Sequence, residues 1–428
     1  MSKKTILVVV ALVVIALGAW VYFSLKTAPA TEGTEKKSLF SSLFPFGSNK
    51  TPQENPAETP GAGTGTPTTT IPAGDTRKLR KISEKFIAGF TVLPPDTTPV
   101  VPVYDASTPT EAPRASSLRA PIARLAERGD GFVFDVDALG ENEKKVSGTI
   151  ISGTVQALFA DSGKTLLYRY IRTDGKTIAT YLGRIVPASG NTGEGTTTGD
   201  FLPDNILDAT ISPDKKSIFV LLSSGTGVTG ITMKSDGTAK KQLFVSAFTE
   251  WLSEWTKTGI SLTTKASAYT PGYAYTVNAS GVLKKIIGQV NGLTTKISPD
   301  GKTMLYSVSS GNSVSLHIRH LGDGSDINTG LSTLPEKCIW AASANLAYCG
   351  APETNTAAAY PDAWYQGTMH FTDTVWSIDT TKGTTNKLTD GEGNTLDIMS
   401  LTLDQNETYL FFMNKYDGSL WSFNLAKS

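Results

Sequence analysis

A turn motif that recurs along the chain limits the possible folds more than any other feature of the sequence. Its fullest copy occupies residues 297–306, with the sequence ISPDGKTMLY. Pro299 fixes φ at the start of the turn, Asp300 can hydrogen-bond its own backbone, and Gly301 accepts the positive φ that a tight turn requires. An alternating apolar segment follows, so each copy predicts a strand, a turn and a second strand.

Weaker copies of this unit occur on both sides of the full one. They lie 42 to 61 residues apart, aligned at positions 163, 215, 259, 301, 344 and 405. Four-stranded propeller blades repeat about every 40–50 residues, and the longer intervals contain Gly/Thr-rich or Ala/Pro-rich insertions. We find no long amphipathic helix after residue 77. The predicted fold class is therefore all-β, with a β-propeller architecture.

A strand count predicts how the propeller closes. The last copy ends at residues 420–425 and leaves no sequence for a fourth strand. Residues 77–83 (RKLRKIS) have the character of a fourth strand and precede the first blade. If they pair with residues 420–425, the ring closes without a long exposed edge. The domain at 77–428 would then have seven blades, and the first would use residues 87–92, 122–126, 132–136 and 145–150.

The S-P-D-G-K turn followed by an apolar strand resembles the repeat of the TolB-like propellers, within the broader group of WD-repeat-like folds. The motif is full at residues 298–302, partial at 212–215 and degenerate elsewhere, and the resemblance covers roughly residues 77–428. It implies the propeller fold. Members of this family are commonly envelope proteins that work by binding.

The N-terminus predicts a membrane anchor at residues 1–26. Residues 5–25 contain no charge, and a helix of that length would extend roughly 32 Å, enough to cross a hydrocarbon core of about 30 Å. Lys3 and Lys4 favour a cytoplasmic N-terminus. We therefore expect a single-pass protein of the cytoplasmic membrane with an extracytoplasmic propeller. The alternative is a signal peptide cleaved near the small residues 28–30 (APA).

Residues 27–76 have the composition of a disordered linker, rich in Pro, Thr and Gly. A flexible chain of this length has a reach on the order of 40 Å. One stretch differs, namely the apolar and aromatic residues 39–46 (LFSSLFPF). It could lie on the membrane surface, or it could be an apolar part of a disordered chain.

Charge and motif content exclude several function classes. The chain has 39 basic and 39 acidic side chains and three His, which gives no argument for nucleic-acid binding and little material for a His-based site. No nucleophile elbow, zinc-binding helix or phosphate loop occurs. The acidic turn at residues 390–394 lacks the pattern of a calcium loop, so we interpret it as a polar turn. We expect no catalytic, cofactor or metal residues.

The two cysteines are predicted to form a disulfide. Cys338 and Cys349 flank a short hairpin and could face each other across two strands. An exported compartment permits the bond. Two reduced, buried thiols are the alternative.

An aromatic insertion in the sixth blade is the predicted binding surface. Residues 364–371 include Trp364, Tyr365, His370 and Phe371. Exposed aromatic side chains often anchor protein interfaces. The alternative is that these rings pack over the edge of the blade.

Together these features predict a non-enzymatic protein-binding or scaffolding module of the cell envelope. Its expected partners are the membrane, through the N-terminal helix, and another envelope protein. No small-molecule ligand is evident. One alternative is a lyase or glycoside hydrolase with a site at the mouth of the central channel, and another is a spacer without a specific ligand. Converging carboxylates at one mouth would favour the enzyme, whereas a filled channel would favour the binder.

The predicted topology can be tested with protease added outside spheroplasts. Cleavage in the linker at 27–76 should release a soluble fragment of roughly residues 77–428, because unfolded chain is cut far faster than a closed propeller. Immunoblotting of the supernatant measures the release, and lysed spheroplasts provide the control. Protection of the fragment until the membrane is lysed would contradict an extracytoplasmic domain.

Overall fold

Seven four-stranded antiparallel sheets form the part of the chain described by the structure, a computed structural model that covers residues 77–95, 120–189, 193–311, 313–354 and 359–427. The sheets follow one another along the chain, and each is one blade of a β-propeller. The all-β class and the seven blades are therefore confirmed. No helix among these residues is long and apolar enough to cross a membrane, and the predicted anchor and linker at 1–76 lie outside them.

Each blade consists of four strands, and blade 7 takes one of them from the other end of the domain. Blade 1 consists of β2 Ile87–Val92, β3 Ile122–Glu127, β4 Val133–Asp137 and β5 Lys144–Ser147. Blade 2 consists of β6 Thr154–Ala160, β7 Thr165–Ile171, β8 Ile178–Val186 and β9 Thr196–Leu202. Blade 3 consists of β10 Ile206–Ile211, β11 Ser217–Ser223, β12 Val228–Lys234 and β13 Lys241–Ser246. Blade 4 consists of β14 Trp251–Thr256, β15 Gly259–Thr264, β16 Pro271–Val277 and β17 Leu283–Asn291. Blade 5 consists of β18 Thr295–Ile297, β19 Thr303–Ser310, β20 Ser313–His320 and β21 Asp326–Asn328. Blade 6 consists of β22 Cys338–Trp340, β23 Leu346–Pro352, β24 Asp373–Asp379 and β25 Thr384–Lys387. Blade 7 consists of β26 Ile398–Leu403, β27 Tyr409–Asn414 and β28 Leu420–Asn424, together with β1 Leu79–Ser83 as its fourth strand.

Among the described residues, helical structure is limited to short pieces between strands or directly after the last strand. They are helix α1 Asp362–Tyr365 and the 3-10 turns Asp161–Gly163, Pro335–Lys337, Gly391–Gly393 and Leu425–Lys427.

The repeated turn is held by its own polar side chains. Ser298 Oγ donates to Asp300 Oδ1 at 2.6 Å and accepts from the backbone N of Thr303 at 3.0 Å. Gly301 has φ +72°, and a Cβ at this position would lie 2.6 Å from Thr258. Glycine at position 301 therefore suits both the backbone conformation and the close approach of the neighbouring blade, although Lys215 and Ala344 adopt a positive φ at the aligned positions of other copies.

Antiparallel order assigns every loop to one of two faces. The top face, as we use the term, carries the connections between blades and those between the second and third strands of each blade. The bottom face carries the connections between first and second and between third and fourth strands, including the repeated turns. Strand β1 runs from bottom to top, because it is the fourth strand of blade 7 and leads directly into β2. The chain therefore enters the propeller from the bottom face.

Strand β1 closes the ring, as the strand count predicts. It pairs antiparallel with β28, with Leu79 opposite Phe423 and Arg80 opposite Ser422. Leu79 belongs to the apolar core of blade 7. On the neighbouring side, Ile82 and Ile87 pack in one cluster with residues of blades 7 and 1. The two chain ends are thus joined by both hydrogen bonds and apolar packing.

The predicted disulfide is present. Cys338 in β22 lies directly opposite Cys349 in β23, and their sulfur atoms are bonded. Both side chains are buried in the core that blade 6 shares with blade 5. In the chain-entropy model, closing the loop between these two cysteines raises the free energy of unfolding by about 2–3 kcal/mol.

Replacing Leu79 by Ala tests the contribution of β1. The side chain is buried in the blade 7 core, so its truncation should lower the free energy of unfolding by about 2–4 kcal/mol. Urea denaturation of the full chain, followed by tryptophan fluorescence, measures the change. The control is Lys78→Ala, which alters a half-buried side chain outside the core and should change stability by less than about 0.5 kcal/mol. Equal stabilities for both variants would contradict the closure.

Candidate functional site

The aromatic insertion forms a lid on the top face, which we define as residues 359–372 between β23 and β24. Trp364 is 2% exposed and Phe371 is 3% exposed, whereas Tyr365 is half-buried and His370 keeps 32% of its side chain exposed. The prediction of an exposed aromatic surface is therefore wrong for Trp364 and Phe371. Their rings are turned inward and cover charged groups.

A buried ion cluster lies under the lid. Lys337 is fully buried, and its Nζ lies 2.6 Å from Asp373 Oδ2 and 3.0 Å from Asp397 Oδ1. Lys337 ends the 3-10 turn before β22, Asp373 begins β24, and Asp397 precedes β26. Blades 6 and 7 are thus joined at the top of the channel. A buried lysine is tolerated only when carboxylates compensate its lost hydration, as these two do.

The lid rings make direct contacts with this cluster. Lys337 Nζ lies 4.4 Å from the centroid of the Phe371 ring and 5.4 Å from that of Trp364. The indole Nε1 of Trp364 donates to Asp397 Oδ1 at 2.9 Å. From the other side, Lys415 Nζ lies 4.4 Å from the Trp364 ring and donates to the Trp364 carbonyl oxygen. Desolvated cation–π contacts contribute up to about 2 kcal/mol each, which explains why these aromatic residues are buried.

The two carboxylates differ in their pKa values. Burial raises the pKa of Asp373 to about 6, although the Lys337 charge opposes the shift. Burial would also raise the pKa of Asp397, but the Lys337 charge and the hydrogen bonds from His370, Trp364 and Lys337 outweigh it and lower the pKa to about 2. Burial lowers the pKa of Lys415 to about 8. Both carboxylate pKa values lie below 7, so at neutral pH Lys337 faces two charged carboxylates.

Two carboxylates converge at one mouth of the channel, as the enzyme alternative requires, but they are not accessible. Both have fully buried side chains, both bind Lys337, and Trp364 covers them. No substrate atom can reach either oxygen pair with the lid in place. Among the described residues, no three His, Cys, Asp or Glu side chains are arranged to hold a metal ion.

The lid also extends sideways across the top face. Asp362 Oδ2 accepts a hydrogen bond of 2.7 Å from the backbone N of Ala268, in the loop between β15 and β16 of blade 4. At its other end, the His370 ring lies 5.6 Å from that of Tyr416, in the loop between β27 and β28 of blade 7. One connection of blade 6 thus contacts loops on both sides of the channel.

Exposed aromatic side chains are concentrated at the top face. The described residues include five of them: Phe86, Phe201, Phe248, Tyr269 and Tyr416. Four lie in top-face loops, and the fifth is one residue before the top end of β9. At the bottom face the exposed large apolar residues are aliphatic: Val186, Val282 and Leu283. Among the residues that the structure describes, the top face therefore presents the residue types that anchor protein interfaces.

Sequence reasoning missed the ion cluster. Lys337, Asp373, Asp397 and Lys415 are spread over four separate connections, and no local pattern links them. The one weak signal is Lys337 itself, which lies beside Glu336 in the otherwise apolar stretch LPEKCIW. Asp397 follows the acidic turn at residues 390–394, but it binds Lys337 and does not belong to an ion-binding loop.

The chain was compared with known proteins and structures. No protein-family model and no curated protein matches it. Similar solved structures include an oligogalacturonate lyase in complex with manganese (8% identity, 71% of this chain and 85% of that chain, TM-score 0.45). Others are TolB from Acinetobacter baumannii (14%, 71% and 63%, TM-score 0.39) and the β-propeller domain of the Trilobed protease from Pyrococcus furiosus (10%, 72% and 88%, TM-score 0.44). With TM-scores below 0.5, the assignment of the fold rests on the seven sheets of this chain.

Replacing Lys337 by Met should lower the free energy of unfolding by about 3–5 kcal/mol near neutral pH, because two buried carboxylates would lose their compensating charge. Chemical denaturation of the full chain measures the change. Without the lysine, both folded-state pKa values lie above the unfolded value. The folded state then binds protons more readily, so the deficit should shrink as the pH falls from about 7 toward 5.

Two further variants control this experiment. Lys382→Met removes a mostly exposed lysine that pairs with Asp379, and such surface pairs contribute about 0–1 kcal/mol. Adding Asp373→Asn and Asp397→Asn to Lys337→Met removes the uncompensated charges and should restore part of the stability. A Lys337→Met protein as stable as Lys382→Met would contradict the role of the cluster.

Proposed function

We propose that this protein is a membrane-anchored, extracytoplasmic β-propeller that binds another protein of the cell envelope through its top face. The observation that carries the proposal is the distribution of exposed aromatic side chains. All five exposed aromatic side chains among the described residues lie at or next to the top face, and aromatic residues are enriched in protein interfaces.

The point at which the chain enters the propeller supports the same face. Residues 77–78 precede β1 at the bottom face, so a linker before them would join the propeller at that face. A domain tethered by its bottom face presents its top face to partners. The linker's reach, on the order of 40 Å, lets that face meet a partner at some distance from the membrane.

The closed channel mouth supports binding in preference to catalysis. The carboxylates that an enzyme would use there are buried with Lys337 beneath Trp364. The lid instead adds partly exposed His370 to the top face, beside Tyr416. The lid therefore covers these carboxylates and adds its exposed groups to the top face.

The proposed location rests on the sequence. The uncharged run at residues 5–25, preceded by Lys3 and Lys4, is typical of a single-pass anchor with a cytoplasmic N-terminus. The disulfide between Cys338 and Cys349 is of a kind that persists in oxidising compartments.

Site-specific photo-crosslinking tests the binding face. The full chain is expressed in the cells that naturally contain it, with a photoreactive phenylalanine analogue in place of Tyr269 or Tyr416. Irradiation should then give protein adducts of discrete mass. The matched control is Val282, which is similarly exposed at the bottom face. Adding Phe248→Ser should reduce the yield from the Tyr416 site by at least about fivefold, because exposed aromatic anchors contribute about 1 kcal/mol or more.

The outcome distinguishes the alternatives. Equal yields from both faces would contradict the assignment of the top face. No adduct from any position would contradict the binding function and favour a spacer. Adducts from the top face alone, lost in the Phe248→Ser protein, would support the proposal.

A further inference from the structure

A cavity with both polar and apolar groups on its wall lies directly beneath the lid. Its volume is about 260 Å³, slightly below the roughly 300–1,000 Å³ of ordinary small-molecule sites. Strands β14, β15, β18 and β26 form its wall, together with the 3-10 turn before β22, and Trp364 adds its side chain from the lid. It is the space that remains between the inner strands of blades 4, 5 and 7.

Hydroxyl groups line much of this cavity, contributed by Ser253, Ser261, Thr263, Thr294, Thr295 and Ser400. Some are already bonded, since Thr263 and Thr295 join across two blades at 2.6 Å. Ser261 is different: it is 2% exposed, and its Oγ has no hydrogen-bond partner among the described residues. A buried hydroxyl without a partner is unfavourable by about 1–3 kcal/mol. A polar ligand in the cavity would supply the missing bond.

The charges on the wall do not balance. Lys296 Nζ lies 3.3 Å from Glu254 Oε1, so these two groups neutralise each other. Glu336 remains, and it accepts a hydrogen bond from the Tyr365 hydroxyl but forms no ion pair within the described residues. Burial raises the pKa of Glu336, although the hydrogen bond from Tyr365 and the charge of Lys296 oppose the shift. Glu336 is therefore the carboxylate of the wall that has no ion-pair partner among the described residues, although the charges of Lys296 and Lys415 also act on it.

These features specify the chemistry of a ligand. The Glu336 carboxylate can pair with a cation that donates hydrogen bonds, which an ammonium group does. Ser253, Thr263, Thr294 and Thr295 already have hydrogen-bond partners. The open polar position on the wall is Ser261, where a ligand hydroxyl can bond. The indole of Trp364 offers an apolar wall, which suits the C–H groups of a compact ring and the charge of an ammonium.

We propose that the cavity under the lid is a binding site for a small polyhydroxylated ammonium compound, with the chemistry of a free amino sugar. Glu336 would pair with the ammonium group, Ser261 would hydrogen-bond a ligand hydroxyl, and Trp364 would cover the ring. The site is separate from the top-face surface, so it does not depend on the proposed protein partner.

The test uses the full chain in detergent and isothermal titration with D-glucosamine as the probe. D-glucose lacks the ammonium group, and N-acetyl-D-glucosamine replaces its charge with an amide. Both should bind at least about tenfold more weakly than D-glucosamine, as expected for loss of a charge-assisted bond. Glu336→Gln should weaken D-glucosamine binding by a similar factor, and Ser261→Ala by about threefold.

Glu353→Gln is the matched control. Glu353 is half exposed, pairs with Lys387 outside the cavity, and should leave the affinity unchanged within about twofold. Thermal denaturation verifies that each variant is folded. Should Glu336→Gln fail to fold, Ser261→Ala and the comparison of the three sugars still decide. Equal affinity for all three sugars, insensitivity to both cavity variants, or no binding at all, as in a cavity that holds only water, would overturn the proposal.

Discussion

The pairing of β1 with β28 is the contact on which the rest of the structure depends. It joins strands from the two ends of the domain, with Leu79 opposite Phe423, and turns a row of seven sheets into a ring. Contacts so distant in sequence carry a large entropic cost that only the completed core offsets. That core is shared: Ile82 packs with Phe411 of blade 7 and Phe134 of blade 1 in one cluster. Without β1 both blades would lose apolar cover, and blade 7 would expose an unpaired edge.

The strand order also fixes the face on which the repeated turns lie. They connect first and second strands on the bottom face, and their own side chains hold them in a tight shape, as Ser298 and Asp300 do. Variation in loop length occurs on both faces, since the lid lies in a top-face connection and the longer connection from Val92 to Ile122 lies on the bottom face. The choice of a binding face therefore depends on the side chains exposed there.

The fold could be predicted because its determinants are local and repeated. A turn such as residues 298–302 predicts a strand on each side of it wherever it occurs. One hairpin is enough to place Cys338 opposite Cys349. The lid could not be predicted in this way. Whether Trp364 points outward or inward depends on Lys337 and Lys415, which come from other connections. A single lysine in an apolar stretch does not show which carboxylates will meet it. The cavity under the lid arises likewise from strands of three blades.

The ion cluster lies against the lid and orients Trp364. Burying Lys337 with Asp373 and Asp397 adds little net stability, since well-packed apolar residues would serve as well. None of these three residues belongs to the lid, so their contacts at 2.6 and 3.0 Å hold the cluster itself together. The Nε1 of Trp364 bonds the same Asp397 that binds Lys337, so the orientation of the indole is set by the cluster. We infer that the cluster is retained for this specificity. Trp364 contacts the ion cluster as part of the top-face lid, and its position also determines one wall of the cavity beneath the lid.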